Sequence, residues 1–336
     1  MAVVGVGVAG SYLLARLEGR CHVTGFESSS LEKHYPICAW GTSINAMREI
    51  AREVGLNFDD YVLYKGREML VDLGEEEISI RLKGLCTFDK LRFEEDLIRG
   101  RDVRFGVRVY EPPRGFDLII DATGFNRALL PRPRENYFIP TIEYRVKYPE
   151  GMPFNDFYIK PLPELSGYLW FFPLGDSVAH VGAGDYYKRH VKMLEEFMHK
   201  YGGEILRKVG RPVRITPPHF SEPIYEGRVV GVGEAVGTVY PILGEGIIPS
   251  IESAKLLIEN IENLELYRRK LLRKFAIYEK IFRLIKKRMV GGFSWIRDLS
   301  KVASLYLHMR LRENRYGIEA RLPVIMKVLG GNWRRR

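Results

Sequence analysis

Cysteine is scarce in this sequence of 336 residues, which contains only Cys21, Cys38 and Cys86. An odd number of widely spaced cysteines supplies neither a disulfide framework nor a zinc site, and it favours a reducing compartment. The sequence also lacks an apolar run of about 18 residues, the length that spans a bilayer, and the basic segment that opens a secretory signal. Its seven histidines show no metal-binding spacing such as HExxH. We therefore expect a cytoplasmic globular protein that holds no metal ion.

The charge is unevenly distributed along the chain. The net charge is +10, but residues 268–336 contain 20 Lys and Arg against 4 Asp and Glu, whereas residues 1–267 have a small excess of acids. Within residues 268–288, apolar side chains recur at helical spacing: Leu271, Phe275, Tyr278, Phe282 and Ile285. This pattern predicts either a helix packed on the core with a solvated basic face, or one that docks on an anionic membrane surface. Nucleic-acid binding is not expected, because no recognition motif accompanies the charge.

The first residues carry the clearest motif. An apolar run breaks into the spacing GxGxxG at Gly5, Gly7 and Gly10, and an amphipathic helix follows. A second strand is predicted over residues 22–26 and is closed by Glu27. Glycines at these positions permit a tight turn and a close approach to a diphosphate, while the acid can accept hydrogen bonds from a ribose. The arrangement predicts binding of FAD or NAD rather than NADP; close packing of a glycine-rich strand is the alternative.

Two later elements favour FAD over NAD. The apolar run over residues 116–124 ends in Asp121-Ala122-Thr123-Gly124 and is typical of a central parallel strand. Residues 228–237 repeat this pattern, with Gly233-Glu234 at the strand end. A glycine turn over residues 241–248 then opens a helix. The acid can hold ribitol hydroxyls, and the N–H groups at the helix start can hold the pyrimidine end of a flavin.

The middle of the chain has a different character. Prolines and aromatic residues become frequent over residues 131–218, and apolar and polar residues alternate in the segments 137–148, 156–162, 167–173 and 177–185. This alternation predicts an antiparallel sheet, followed by a helix over about residues 188–208. Residues 61–83 alternate similarly and are predicted to form short antiparallel strands.

Three segments resemble the geranylgeranyl reductase family of the FAD-dependent p-hydroxybenzoate hydroxylase superfamily. Residues 167–176, GYLWFFPLGD, followed by His180-Val181-Gly182-Ala183-Gly184, are similar to the YxWxFP and VGxG segments of prenyl reductases. Asp89-Lys90-x-x-Phe93-Glu94 resembles the DRxxFD segment of the superfamily, with a lysine in place of the arginine. Cys38 falls where these reductases carry a cysteine near the flavin. The sequence departs from the family in two places: Ala39 replaces the glycine that often follows this cysteine, and Glu234 replaces an aspartate.

The resemblance implies an enzyme that binds FAD and reduces double bonds of an isoprenoid, either an archaeal-type lipid or a polyprenyl compound. It implies an external electron donor, ferredoxin or NAD(P)H, a catalytic role for Cys38, and an isoprenoid tunnel lined by Tyr168, Trp170, Phe172 and Pro173; a plain aromatic core is the alternative for these rings. An aromatic or quinone-precursor monooxygenase, or a non-catalytic flavin-binding protein associated with a membrane, stays open as another function. The residues assigned to the cofactor are Gly5, Gly7, Val8, Ala9, Gly10, Ser11, Glu27, Cys38, Ala39, Lys90, Asp121, Ala122, Thr123, Gly124, Gly233, Glu234, Pro241, Gly244, Glu245, Gly246, Ile247 and Ile248.

The predicted fold is therefore of the α/β class, with a Rossmann-like FAD-binding domain of the p-hydroxybenzoate hydroxylase type. We expect that domain to comprise residues 1–60, 84–130 and 219–260. Residues 61–83 and 131–218 are expected to form a sheet-based substrate domain inserted into it. Residues 261–336 are expected to form a basic helical region, peripheral at the membrane if it docks there.

Overall fold

The computed structural model describes residues 1–330, and this part of the chain contains three sheets and ten α-helices. The strands are β1 (Ala2–Val4), β2 (Thr24–Phe26), β3 (Gly41–Ser43), β4 (Val62–Lys65), β5 (Glu68–Asp72), β6 (Glu77–Arg81), β7 (Leu85–Phe88), β8 (Val103–Arg104), β9 (Ile119–Asp121), β10 (Phe138–Lys147), β11 (Phe157–Pro161), β12 (Gly167–Gly175), β13 (Val178–Asp185), β14 (Glu204–Arg214), β15 (Tyr225–Glu226) and β16 (Val229–Gly231). The helices are α1 (Val8–Leu17), α2 (Ile44–Arg52), α3 (Lys90–Ile98), α4 (His190–Tyr201), α5 (Ile247–Glu259), α6 (Leu264–Lys274), α7 (Ala276–Met289), α8 (Trp295–Arg310), α9 (Glu313–Tyr316) and α10 (Leu322–Gly330).

A six-stranded sheet has the order β15-β16-β9-β1-β2-β8, and all its strands are parallel except β15. The residues of β1, β2, β9 and β16 are all buried, which is why these segments read as continuous apolar runs. Helices α1 and α5 pack against each other beside this sheet. The edge strand β8 is only two residues long and ends at Arg104, shortly before Gly106, which adopts a positive φ of 72°.

A seven-stranded sheet has the order β14-β10-β13-β12-β11-β5-β6. Its neighbouring strands are antiparallel except β5 and β11, which run parallel. A third sheet, β3-β7-β4, is antiparallel. The α/β class predicted from the sequence is confirmed. The short strands of residues 61–83 divide between two sheets, since β4 joins the third sheet while β5 and β6 extend the second.

The predicted helix over residues 188–208 is wrong in its second half. Helix α4 ends at Tyr201, because Gly202 and Gly203 adopt φ angles of +66° and +102°, which lie outside helical geometry. The chain then reverses into β14, which pairs with β10 along its whole length. The alternation in this stretch is weak because β14 is an edge strand, and most of its residues are exposed.

The apolar side chains of residues 268–288 lie in the core. All five of the residues listed for this pattern are buried on α6, on α7 and at their junction, while the Lys and Arg residues between them point outward. The first of the two sequence alternatives is therefore correct, and this face is not available to a membrane. Among the helices of residues 1–330, none combines the length and the apolar character needed to cross a bilayer. Residues 331–336 of the predicted basic region lie outside the described residues.

Truncation of Leu271, on the core face of α6, should cost much more stability than truncation of an exposed leucine. We expect Leu271→Ala to lower the free energy of unfolding by about 2–5 kcal/mol, since it removes a fully buried side chain. The matched control is Leu299→Ala, which truncates a leucine that is 60% exposed and should change stability by about 0.5 kcal/mol or less. Urea denaturation of both variants measures the difference, and equal losses would contradict the packing described here.

Candidate functional site

One large cavity, with a volume of about 900 Å³, lies between the parallel sheet and the seven-stranded sheet. On one side it is lined by the loops that follow β1, β9 and β16, at the carboxyl ends of these parallel strands. On the other side it is lined by side chains of β10, β12 and β14. The carboxyl edge of a parallel sheet is where α/β proteins bind their ligands, so this cavity is the candidate site.

The predicted glycine motif forms the turn between β1 and α1. Gly5 has φ +91°, and a Cβ there would lie 2.6 Å from the carbonyl oxygen of Ala122. A Cβ at Gly10 would overlap the carbonyl oxygen of Gly5, so only glycine lets the helix lie this close to the strand. Gly7, by contrast, faces open space: no atom lies within 4 Å of where its Cβ would be. It is the N-cap of α1 and contributes no side chain to the first N–H groups of the helix. These groups are available to an anionic ligand.

Glu27 lies beside this turn at the end of β2, as predicted. One carboxylate oxygen accepts a hydrogen bond of 3.1 Å from the Val6 N–H, and the other accepts bonds of 2.9 and 2.7 Å from the N–H and hydroxyl of Ser29. Burial opposes ionisation, but these hydrogen bonds lower the pKa of Glu27. The side chain is therefore an ionised acceptor fixed at the cavity wall.

A second helix, α5, also begins at the cavity. Gly246 is the N-cap of α5, and it too provides no side-chain cap. The preceding turn is tied to the seven-stranded sheet, because the Tyr168 hydroxyl donates to the Leu243 carbonyl over 2.6 Å. Glu245 accepts a bond of 2.9 Å from the Ile248 N–H, and burial raises the pKa of its carboxyl group. Two helix N-termini thus open into one cavity.

Most of the predicted site residues meet at this cavity. The predicted residues that line it are Gly5, Gly7, Val8, Ala9, Glu27, Cys38, Ala39, Lys90, Ala122, Thr123, Gly124, Tyr168, Trp170, Phe172, Gly233, Glu234, Pro241, Gly244, Glu245, Gly246 and Ile247.

Five predicted residues do not line the cavity. Gly10 and Ser11 lie inside α1, where the Ser11 hydroxyl donates to the Gly7 carbonyl. Asp121 is fully buried and accepts hydrogen bonds from the chain that follows it, including the N–H groups of residues 123, 129 and 130. Ile248 is buried within α5. Pro173 lies on β12, where its carbonyl accepts a hydrogen bond from the Thr87 hydroxyl. In this structure these five residues have structural contacts in place of a position in the cavity wall.

Lys90 belongs to a buried cluster of charges that the sequence did not reveal. Its ammonium group lies 2.5 Å from one oxygen of Glu94, and His34 Nε2 lies 3.8 Å from the other. Burial disfavours the Glu94 charge, but Lys90 and His34 outweigh it and lower the Glu94 pKa. The adjacent Glu94 carboxylate raises the pKa of His34. All three residues line the cavity beside Cys38.

Glu234 is also paired. The guanidinium of Arg211 donates to one of its oxygens, and the N–H of Arg214 donates to the other over 2.8 Å. Both arginines come from β14, a strand whose first residues, 204–208, the sequence predicts to be helical. This pairing connects the strand end at Gly233 to the edge of the seven-stranded sheet. A ligand hydroxyl at Glu234 would share the carboxylate with Arg211.

The aromatic wall depends on glycines in the neighbouring strand. In the register of the sheet, Trp170 on β12 is paired with Gly182 on β13, and Gly182 with Glu143 on β10. A side chain at Gly182 would overlap the Trp170 indole, so the indole lies across this strand and its Nε1 donates to Glu143 over 3.3 Å. Tyr168 and Phe172 project to the same side and also line the cavity. Gly182 of the VGxG segment therefore leaves the space that the Trp170 indole occupies.

Glu143 is the main site residue that sequence reasoning missed. It lines the cavity, its side chain is almost completely buried, and burial raises its pKa to about 8. Its other neighbour is His180, whose Nδ1 lies 3.6 Å from the carboxyl group. Burial and the Arg145 charge lower the pKa of His180 to about 3, so this imidazole is neutral and offers no counter-charge. Glu143 is thus a carboxylic acid that stays protonated near neutral pH, which allows it to act as a proton donor.

Cys38 is half-buried at the cavity and carries a thiol rather than a thiolate. Burial raises its pKa, and the nearby Lys90 only partly offsets this effect. A protonated thiol is a weak nucleophile. The available chemistry at Cys38 is proton transfer or contact with a ligand.

Several buried polar atoms in this wall have no hydrogen-bond partner within residues 1–330. They are His34 Nε2 and Glu94 Oε2, which face each other over 3.8 Å, Arg315 Nη1 and Glu245 Oε2, which are also 3.8 Å apart, and Arg211 Nε. Buried polar groups without partners are uncommon, and a polar ligand can supply them. Together with the open glycine turn and the two uncapped helices, they fit a large ligand that carries both a diphosphate and a polar ring.

Two known proteins are similar to this chain in sequence, although no model of a known protein family matches it. An uncharacterised protein of Methanocaldococcus jannaschii is 27% identical over 329 residues, which cover 85% of this chain and 86% of that protein. A geranylgeranyl diphosphate reductase of Synechocystis is 32% identical over 161 residues, covering 43% of this chain and 38% of that enzyme.

Solved structures match over nearly the whole chain. A geranylgeranyl bacteriochlorophyll reductase-like protein from Thermoplasma acidophilum has a TM-score of 0.71 at 17% identity and covers 98% of this chain and 95% of that one. A flavin-dependent halogenase from Brevundimonas has a TM-score of 0.64 at 15% identity and covers 85% and 78%. At such identities the likeness establishes the fold. The predicted fold type is confirmed: the chain shares the architecture of the Thermoplasma protein and of the flavin-dependent halogenase.

The environment of Glu143 predicts a specific pH dependence of stability. The carboxyl group has a pKa of about 8 when folded and about 4.3 when unfolded, so the folded state binds the extra proton between these values. Wild-type stability should therefore fall, relative to Glu143→Gln, by up to about 1.4 kcal/mol per pH unit between about pH 5 and 8. Denaturant unfolding of both proteins at several pH values gives the difference between their free energies of unfolding. Titrating groups that the two proteins share cancel from this difference. A difference that is constant with pH would mean that Glu143 is ionised in the folded protein.

Proposed function

We propose that this chain is a FAD-dependent oxidoreductase that reduces double bonds of an isoprenoid. The observation that carries the proposal is the continuity of the cavity: the glycine turn of α1 and the aromatic wall of β12 line one space of about 900 Å³. A cofactor bound at the glycine turn would thus lie in the same cavity as a substrate bound at the aromatic wall. The likeness to the Synechocystis reductase and to the Thermoplasma protein supports this assignment.

The residues around the cavity suit the parts of FAD. The N-terminus of α1 would hold the diphosphate, because its N–H groups are uncapped and Gly7 leaves room for close approach. Glu27 would accept hydrogen bonds from the adenosine ribose. The N-terminus of α5 would face the pyrimidine end of the flavin, and Glu234 would hold ribitol hydroxyls in competition with Arg211.

The aromatic wall suits an isoprenoid chain. Tyr168, Trp170 and Phe172 line the cavity from one face of β12, and Ile139 and Ile159 extend the apolar lining. An apolar chain in this space excludes water from the reacting centre, which matters because an unactivated alkene is a poor hydride acceptor.

Saturation of a double bond consumes one hydride and one proton. Reduced FAD, when bound, would supply the hydride. We assign the proton to Glu143, because a carboxylic acid with a pKa of about 8 is a stronger acid than the Cys38 thiol, whose pKa lies above its ordinary value. The Trp170 indole, which donates to Glu143, would hold the acid against the substrate wall.

The decisive experiment is a single-turnover assay without oxygen. The FAD-loaded protein is reduced with dithionite, mixed with lipids that carry geranylgeranyl chains, and analysed by mass spectrometry for added hydrogen pairs. Hydrogenated product supports the proposal. No product together with aromatic-dependent NAD(P)H oxidation in air would instead support the monooxygenase, and flavin binding without either reaction would support a non-catalytic role. The physiological donor, ferredoxin or NAD(P)H, is then the one that reduces the bound flavin.

Gly7→Asp should abolish FAD binding. The new carboxylate would occupy the open space at the start of α1 and repel the diphosphate, while the absence of neighbours within 4 Å should leave the fold intact. Gly7→Asn is the matched control, since it has the same size without the charge and should retain more flavin. The ratio of flavin to protein absorbance after purification measures the effect. Stoichiometric flavin in Gly7→Asp would contradict the assignment of this turn to the cofactor.

Glu143→Gln should retain FAD but slow double-bond reduction by a factor of about 10²–10⁴, the usual contribution of a general acid. Cys38→Ser, measured in parallel, should have the smaller effect. Single-turnover rates with pre-reduced protein exclude effects on the electron donor. A larger loss in Cys38→Ser would contradict the assignment to Glu143 and return the catalytic role to Cys38, as the sequence predicts.

A further inference from the structure

Helix α8 exposes a line of large apolar side chains that the proposed enzyme function does not use. Ile296, Leu299 and Leu307, with Leu311 directly after the helix, are 92%, 60%, 55% and 70% exposed. Their spacing of 3, 8 and 4 residues keeps them on one side of the helix, and Ala303, also exposed, lies between them. We call these four large side chains the α8 stripe. It extends over about 22 Å of helix axis.

The opposite side of α8 is the one that packs on the protein. Val302, Leu305 and Met309 are buried there, together with Asp298. The helix is therefore fully anchored without the α8 stripe. Val290, in the connection between α7 and α8, is another exposed apolar side chain, at 75%.

The surface around the α8 stripe is basic. Residues 290–330 contain seven Lys and Arg against three Asp and Glu. Each of the three acids is neutralised within the protein: Asp298 pairs with Lys287 and Lys301, Glu313 with Lys83 and Arg310, and Glu319 with Arg321. Among residues 1–330, Arg297 and Arg312 form no ion pair, and both are exposed at the two ends of the helix.

We propose that the α8 stripe docks this protein on an anionic phospholipid bilayer. A helix with an apolar face and unpaired arginines beside it lies in the plane of a membrane interface, with the apolar face inserted among the acyl chains and the cations among the headgroup phosphates. The membrane contact thus lies on α8 and not on α6 and α7, whose apolar faces are buried. The proposal does not rest on the reductase function and is tested without turnover.

The charge argues against a second copy of the chain as the occupant. Two copies joined through this face would bring the unpaired arginines of one against those of the other, and like charges in contact oppose association. An anionic bilayer complements the same charges. Self-association is therefore an outcome that the experiment must distinguish.

The test compares the FAD-loaded wild-type protein with the double variant Ile296→Glu/Leu299→Glu in vesicle sedimentation. Vesicles contain either phosphatidylcholine alone or phosphatidylcholine mixed with phosphatidylglycerol. Leu206→Glu is the matched control, because Leu206 is 47% exposed on β14, away from α8. Thermal melting verifies that all three proteins are folded. We expect them to be, because the substituted residues are exposed.

We expect the wild type and Leu206→Glu to sediment with anionic vesicles, and the double variant to partition at least tenfold more weakly. Raising salt to about 1 M should remove only part of wild-type binding, since screening weakens the arginine contribution but not apolar insertion. Equal binding of the double variant, or no wild-type binding to anionic vesicles, would overturn the proposal. So would a wild-type dimer in sedimentation velocity that the double variant dissociates, since the α8 stripe would then contact a second copy.

Discussion

The close contact between α1 and β1 is the constraint on which the site depends. At Gly10 the helix backbone lies against the carbonyl of Gly5, and no residue with a side chain fits between them. This contact sets the direction of α1, so that its uncapped N-terminus opens toward the carboxyl edge of the sheet. Helix α5 packs on α1, and its own N-terminus opens into the same cavity. One glycine contact thus helps to orient two sources of partial positive charge toward one space.

The other wall of the cavity also depends on a glycine. Here the glycine leaves space for a side chain, whereas at α1 it allows a helix to pack closely. The cross-strand row Glu143–Gly182–Trp170 has no side chain at its centre, and the indole fills the gap. The result is an apolar surface that contains one acid. Because the neighbouring histidine is neutral, burial outweighs the hydrogen bond from the indole, raises the pKa of the acid and keeps it protonated. The same geometry therefore creates both the apolar wall and its proton donor.

The features that could be predicted from the sequence are those determined by short spacing. The glycine turn, Glu27 at the end of β2 and the turn before α5 each depend on residues close together in the chain. Glu143 could not be identified in this way, because its environment depends on partners 27 and 37 residues further along, at Trp170 and His180. The only local signal was an acid at a cavity-facing position of the alternation in 137–148. The helix predicted over 188–208 failed because its apolar spacing continues past Gly202 and Gly203, whose backbone conformation ends it.

The charge asymmetry of the sequence is partly resolved within the protein. Basic side chains of α6 and α7 pair with acids of the preceding 267 residues: Arg268 with Glu222, Lys274 with Glu252 and Lys286 with Glu135. Such partly exposed pairs contribute only about 0–1 kcal/mol each, so they orient the helices more than they stabilise them. They also neutralise much of the charge that the sequence offered for binding an external partner. Within residues 1–330, Arg269, Arg273 and Lys280 of α6 and α7 form no ion pair, and neither do Arg297 and Arg312 at α8. The five apolar side chains of the pattern over residues 268–288 are buried, whereas those of the α8 stripe are exposed, so among these three helices the surface that is both basic and apolar lies on α8.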